Sequence, residues 1–145
     1  DLLQHHVALR HQVLLAEHAV DPSHVRFELF STGEGGVAPT RARPVEVREG
    51  EKTYTIDFTL DGTSVSVDSP VSANETILNA ALRVRPDVPF ACAGGVCGTC
   101  RARVVTGSVS MTENYALEAD EIDRGYVLTC QSHPQSDKVV VDYDA

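Results

Sequence analysis

The chain has 145 residues, 42% hydrophobic and 23% charged, which suits one globular domain with a single sizeable core. Its 12 basic and 21 acidic residues give a formal charge of −9, and no Lys/Arg cluster supplies the basic face that nucleic acid requires. No run of about 18 apolar residues is present to cross a membrane, and no basic-then-apolar leader opens the sequence, so a cytoplasmic location is expected.

Residues 2–19 read as a helix with two apolar strips. Leu3, Val7 and Leu14 form one, and Leu2, Leu9 and Val13 the other, at about 100° per residue. Asp21-Pro22 ends it. Val25, Phe27 and Leu29 then alternate with Arg26 and Glu28, the pattern of a strand. A helix and a strand do not make a domain, so residues 1–33 are expected to be the remnant of a larger α/β unit. Residues 34–50, with Gly35, Gly36, Pro39 and Pro44, read as a linker. Gly33-Glu34-Gly35-Gly36 follows a strand but opens no helix, so it is not a phosphate loop.

From Lys52 the pattern sharpens. Tyr54, Ile56, Phe58 and Leu60 alternate with polar residues, and Asp61-Gly62 is a hairpin signal. Val65 and Val67 continue on the returning strand. Ser72 and Glu75 have capping-box spacing. Ile77, Leu78, Ala81 and Leu82 mark one face of a helix that Pro86 must end. A cysteine-containing loop runs from about Phe90 to Cys100. Strands are expected over 102–105, 127–130 and 138–143, with a short helical turn over 117–122. Residues 51–145 therefore read as an α+β domain, a small mixed sheet crossed by one main helix. They carry 14 acidic and 7 basic residues, against 7 and 5 in residues 1–50, so most of the negative charge sits here.

The four cysteines carry the chemistry. Four residues separate Cys92 from Cys97, two separate Cys97 from Cys100, and Cys130 follows after 29 more. This is the plant-type [2Fe–2S] spacing. Two irons bridged by two sulfides need four terminal ligands, and thiolates suit them. Gly94, Gly95 and Gly98 let the backbone approach the sulfurs and accept the left-handed conformations that wrapping demands. Backbone N–H groups can then offset a charge of −2 that becomes −3 on reduction. A zinc site of four cysteines normally shows two short C-x2-C knuckles where this loop has one. Two disulfides would need a secreted, disulfide-rich scaffold. No nucleophile with an adjacent base is visible, so electron transfer and not group chemistry is expected.

These residues resemble a plant-type ferredoxin domain, which implies a β-grasp fold for residues 51–145. Three stretches sharpen the resemblance: Asn114-Tyr115-Ala116-Leu117, Gly125 through Gln131, and Ser136 through Tyr143. They are similar to ferredoxin domains of multicomponent oxygenase reductases, those of phenylacetyl-CoA epoxidases among them. In that family a flavin domain and a nicotinamide domain precede the ferredoxin domain. The resemblance implies a one-electron relay from NAD(P)H and FAD through the cluster to a di-iron oxygenase, in phenylacetate catabolism. The alternative is the reductase of another aromatic or alkane oxygenase. It also implies that Cys92 and Cys97 hold the iron nearer solvent, and Cys100 and Cys130 the other. The sequence has no Arg-x-Tyr-Ser/Thr flavin motif, so FAD and NADPH are expected only in preceding domains.

Other residues have ordinary readings. His5, His6, His11 and His18 crowd the first helix; His11 and His18 share a face that could hold a metal, but read as surface residues. His133 lies near Cys130 in an expected loop. Glu113, Glu118, Asp120, Glu121 and Asp123 are either a docking face for a basic partner or a solvated face favouring a helix N-terminus. Arg101 and Arg103 either offset the cluster charge and steer a partner or line a solvent-facing edge. Tyr115 and Tyr126 read as packing residues.

Overall fold

The computed structural model describes residues 42–145. The helix expected over 2–19, the strand over 25–30, the four clustered histidines and residues 33–36 lie outside the described residues.

Strand β1 (Thr53–Leu60) turns its alternation into two faces, with Ile56 and Phe58 fully buried and Leu60 nearly so. It pairs antiparallel with β2 (Thr63–Pro70). Asp61 and Gly62 between them both have positive φ, 51° and 70°, as a two-residue turn matched to strand twist requires. The Asp144 carboxylate accepts the N–H groups of Asp61 and Gly62, each at 2.8 Å.

A single 3-10 turn (Val71–Ala73) leads to helix α1 (Ile77–Val84). The expected capping box of Ser72 and Glu75 does not form. Thr76 is the N-cap, its hydroxyl accepting the Asn79 N–H at 3.2 Å, while Ser72 donates to Glu51. Glu75 is instead a buried anion, 2% exposed. Arg83 Nε and Nη2 grip its two oxygens at 2.9 Å each, and Ser69 and Asn79 donate at 2.7 and 2.6 Å. Four donors to one carboxylate satisfy the charge that burial would otherwise make costly. Cap and anion stand one residue apart, which is why spacing alone points to the wrong pair.

After the cysteine loop come β3 (Arg101–Thr106), β4 (Val109–Met111), a short helix α2 (Ala119–Asp123), β5 (Tyr126–Leu128), β6 (Ser132–Pro134) and β7 (Lys138–Asp142). The main sheet has five strands in the order β2-β1-β7-β3-β5, with β1 and β7 parallel and the other pairs antiparallel. Helix α1 adds Ile77, Leu78 and Ala81 to the core formed by Ile56, Phe58, Val139 and Val141. One helix held against a mixed sheet is the expected β-grasp α+β arrangement. Sequence patterning does not reveal the second sheet, where β4 pairs antiparallel with β6. Nor does it reveal a bulge in β3, where the register with β7 shifts between Val104 and Thr106 and leaves Val105 61% exposed. Helix α2 starts in a capping box of Glu118 and Glu121.

Two features of this scaffold position the cysteines. Arg101 pairs with Leu128 at the end of the β3–β5 ladder, so Cys100 and Thr129 lie side by side just beyond it. The N–H of Leu78, at the start of α1, donates to the Thr129 carbonyl at 3.0 Å, which ties the helix to the same corner.

Candidate metal centre

The structure sorts the four cysteines into two pairs. Cys100 and Cys130 are buried, 3% and 6% exposed, and each thiol shifts the ionisation of the other. Both belong to the corner where β3 begins and β5 ends. Thr129 fastens that corner: its N–H and its hydroxyl both donate to the Cys100 carbonyl, at 3.1 and 2.8 Å. Cys92 and Cys97 form the other pair in the irregular loop, Cys92 half-buried and Cys97 exposed.

The loop wraps by leaving ordinary backbone space. Gly95 and Gly98 have φ of 79° and 70°. A side chain at Gly95 would also press on the Glu113 carbonyl oxygen at 3.0 Å and Gln131 Cγ at 3.2 Å. Gly94 has no positive φ and contributes its amide instead. The third left-handed residue is Ala93, φ 52°, which no local pattern announces because left-handed alanine is uncommon. Gln131 holds it, its Nε2 donating to the Ala93 carbonyl at 3.0 Å while Thr112 Oγ1 donates to Gln131 Oε1 at 2.8 Å. The Tyr115 N–H donates to the Gly95 carbonyl at 2.9 Å.

Amides converge on the sulfurs. Gly94 and Val96 N–H groups reach Cys92 Sγ at 3.3 and 3.4 Å, and Thr99 N–H reaches Cys97 Sγ at 3.5 Å. The Gly95 amide favours the thiolate of Cys130 and the Cys130 amide that of Cys100. Burial opposes ionisation of Cys97, but hydrogen bonds from the Thr99 hydroxyl and amide and from Cys92 bring its thiol down to about 7. Cys100 is held low chiefly by the hydrogen bond from Cys130, against burial. Cys130 is driven up by the neighbouring Cys100 thiol and by burial.

This donor set fits a bridged two-iron group. Two pairs of thiols, each supplied with N–H donors, match two irons with two terminal thiolates apiece.

The remaining candidates take ordinary places. Arg101 pairs with Glu121 at 2.6 Å and lies 4.9 Å over the Tyr126 ring; Arg103 donates to the Arg124 carbonyl at 3.1 Å. Of the acidic segment, Glu118 and Glu121 cap α2 and Asp120 pairs with Arg124. Tyr126 packs against guanidinium groups as expected. Tyr115 does not pack in the core: it is 72% exposed, because the Asn114 side chain folds back on the Ala116 and Leu117 amides and the Leu117 carbonyl. His133 lies in β6, not in a loop, with its Nδ1 buried and unpartnered. Sequence reasoning gave no site role to Ala93, Thr129, Gln131 or Tyr143, although the last three lie in the stretches that carry the family resemblance.

Comparison with known proteins agrees with this geometry. Over 72 residues the chain is 56% identical to a subunit of the 1,2-phenylacetyl-CoA epoxidase of Escherichia coli, a match spanning 50% of this chain and 20% of that protein. Over 130 residues it is 36% identical to the 3-ketosteroid-9-alpha-monooxygenase, ferredoxin reductase component, of Mycobacterium tuberculosis, spanning 90% of this chain and 35% of that one. The chain thus spans a fifth to about a third of the length of these curated relatives. Among solved structures it resembles the Amycolatopsis cytochrome P450 reductase GcoB, with a TM-score of 0.54 and 30% identity, covering 64% of this chain and 26% of that one. Residues 58–135 match the 2Fe-2S iron-sulfur cluster binding domain, and with that match covering more than half of its length the chain belongs to that family.

Proposed function

We propose that residues 51–145 are a one-electron relay in which Cys92, Cys97, Cys100 and Cys130 are the cluster ligands. Cys92 and Cys97 hold the iron nearer solvent, and Cys100 and Cys130 the inner one. The observation that carries this reading is the division of the thiols into a more exposed loop pair and a buried pair at the strand ends. When bound, a [2Fe–2S] cluster takes up and releases single electrons. The protein's part is to hold four thiolates, aim amides at them and leave the Cys97 side open to a partner. Gly94 serves through its amide, Gly95 and Gly98 through their backbone conformations.

The donor in this reading is a flavin and nicotinamide module in the same full-length protein. Residues 1–33 are the end of the nicotinamide domain and residues 34–50 the linker, whose Ala42 and Arg43 dock on the relay. The acceptor is a cytoplasmic oxygenase component, and the identity with the epoxidase relative favours a di-iron phenylacetyl-CoA epoxidase. The ketosteroid relative spans more of the chain and supports a second reading, the reductase of another oxygenase.

Anaerobic purification followed by iron and acid-labile sulfide analysis tests the cofactor. The expected protein is red-brown, and one unpaired electron appears in its EPR spectrum after dithionite. Absence of both iron and sulfide, with failure to reconstitute, overturns the reading; a colourless zinc protein would replace it. Mixing the reduced protein with each oxygenase component separates the partners: the true acceptor reoxidises it fastest.

A further inference from the structure

Tyr143 follows β7 and plays no part in the ligand set, yet it reaches the buried pair through one intermediary. Its hydroxyl lies 3.1 Å from Thr129 Oγ1, and Thr129 Oγ1 lies 2.8 Å from the Cys100 carbonyl. The direction of both bonds is fixed. A carbonyl carries no proton, so Thr129 spends its only hydroxyl hydrogen on Cys100. The hydrogen in the Tyr143–Thr129 contact must then come from the phenol. Two O–H dipoles are therefore aligned in series, with their positive ends toward Cys100. Thr129 is fully buried.

The phenol is held where it is. Its ring meets Phe58 edge-on at 6.1 Å, and its N–H donates to the Thr59 carbonyl at 3.0 Å. Burial raises its pKa, so it remains a donor at neutral pH.

We propose that Tyr143 is a positioning residue that acts through Thr129 to raise the reduction potential at the Cys100–Cys130 end of the centre. This rests on the reading that the four cysteines hold a [2Fe–2S] cluster. Reduction adds one electron and one negative charge, with no bond made or broken in the protein. Aligned donors favour the more negative state, and hydrogen bonds in series reinforce one another.

The test is a redox titration of the holoprotein by visible absorption and EPR, with dithionite as reductant. Tyr143→Phe keeps the ring and the backbone bonds and removes only the hydroxyl. It is expected to make reduction at least about threefold less favourable, a fall of about 30 mV at 59 mV per tenfold. Thr129→Val should fall further, and Thr129→Ser should stay near wild type because the hydroxyl is kept. The double variant Y143F/T129V should match T129V alone, since the proposed route runs through the Thr129 hydroxyl. A Y143F potential equal to wild type overturns the proposal, as does a double variant whose shift is the sum of the two single shifts. If T129V fails to hold iron, Y143F against wild type still decides the matter. Iron and sulfide analysis keeps the two levels apart: a wild-type protein that binds neither overturns the cluster reading and this inference together, whereas full cluster content with an unmoved Y143F potential overturns this inference alone.

Discussion

The two cysteine pairs are built by different means. Cys100 and Cys130 extend strand ends, join the core that α1 covers and are fixed by the two bonds from Thr129. Their positions follow from the sheet register and the hydrophobic core. Cys92 and Cys97 sit in a loop with no regular structure, shaped by left-handed residues and by Gln131 reaching across to Ala93. The inner pair is thus a property of the fold, and the outer pair is held by local hydrogen bonds. Such a division gives a rigid interior side and a side that a partner can approach.

The sharpest way to break this comparison is to replace one cysteine of each pair. Cys130→Ser should leave the sheet intact by circular dichroism and release iron to a chelator about tenfold faster than wild type or more, a loss at least as large as removing a ligand's hydrogen-bond partner produces. Cys97→Ser, at the open side, should lose less. Equal losses, or wild-type iron content in Cys130→Ser, would remove the distinction. Next in size is Gly107→Ala, in the turn from β3 to β4. Its φ is 85°, and a Cβ there would overlap the Lys138 carbonyl oxygen. Backbone strain plus overlap should cost about 2–4 kcal/mol in denaturant melts, with the spectrum of the folded fraction unchanged. Gly95→Ala should cost less, about 1–2 kcal/mol, but should alter the EPR signal because it pushes the loop off Glu113 and Gln131. The smallest effect concerns pH. In iron-free protein, alkylation of Cys97 should rise with pH and level off above a midpoint of about 7, where an ordinary thiol has its midpoint at about 8.5. Below that point the protonated thiol reacts slowly, so the sign is a gain with rising pH. A midpoint at the ordinary value would show that Thr99 and Cys92 do not hold the thiolate.

Much of this is legible in the sequence because the signals are local. The alternation of Tyr54, Ile56, Phe58 and Leu60, the Asp61-Gly62 turn and the apolar face from Ile77 to Leu82 each specify an element within a few residues. Cysteine spacing and glycine content point to the loop in the same way. What stays hidden depends on distant partners. Strands β4 and β6 have three residues each, and Val-Ser-Met or Ser-His-Pro carries no period that could reveal a pairing 23 residues apart between Ser110 and His133. Ala93 adopts a glycine-like conformation with its carbonyl held by Gln131, far along the chain. Glu75 has the spacing of a cap, and nothing nearby shows that Arg83 and Ser69 enclose it.

Arg43 has a practical bearing on where this unit can be trimmed. Its N–H donates to Asn79 Oδ1 at 2.6 Å, Asn79 Nδ2 returns a bond to its carbonyl at 3.1 Å, and its guanidinium reaches the Ala73 carbonyl at 2.9 Å. Ala42 beside it packs against the core. A recombinant version starting at Glu51 would discard this clasp, strip one flank of α1 and expose Asn79 to water. The packed unit therefore begins earlier than its first strand, and shortened versions intended for spectroscopy or crystallisation should retain Ala42 and Arg43.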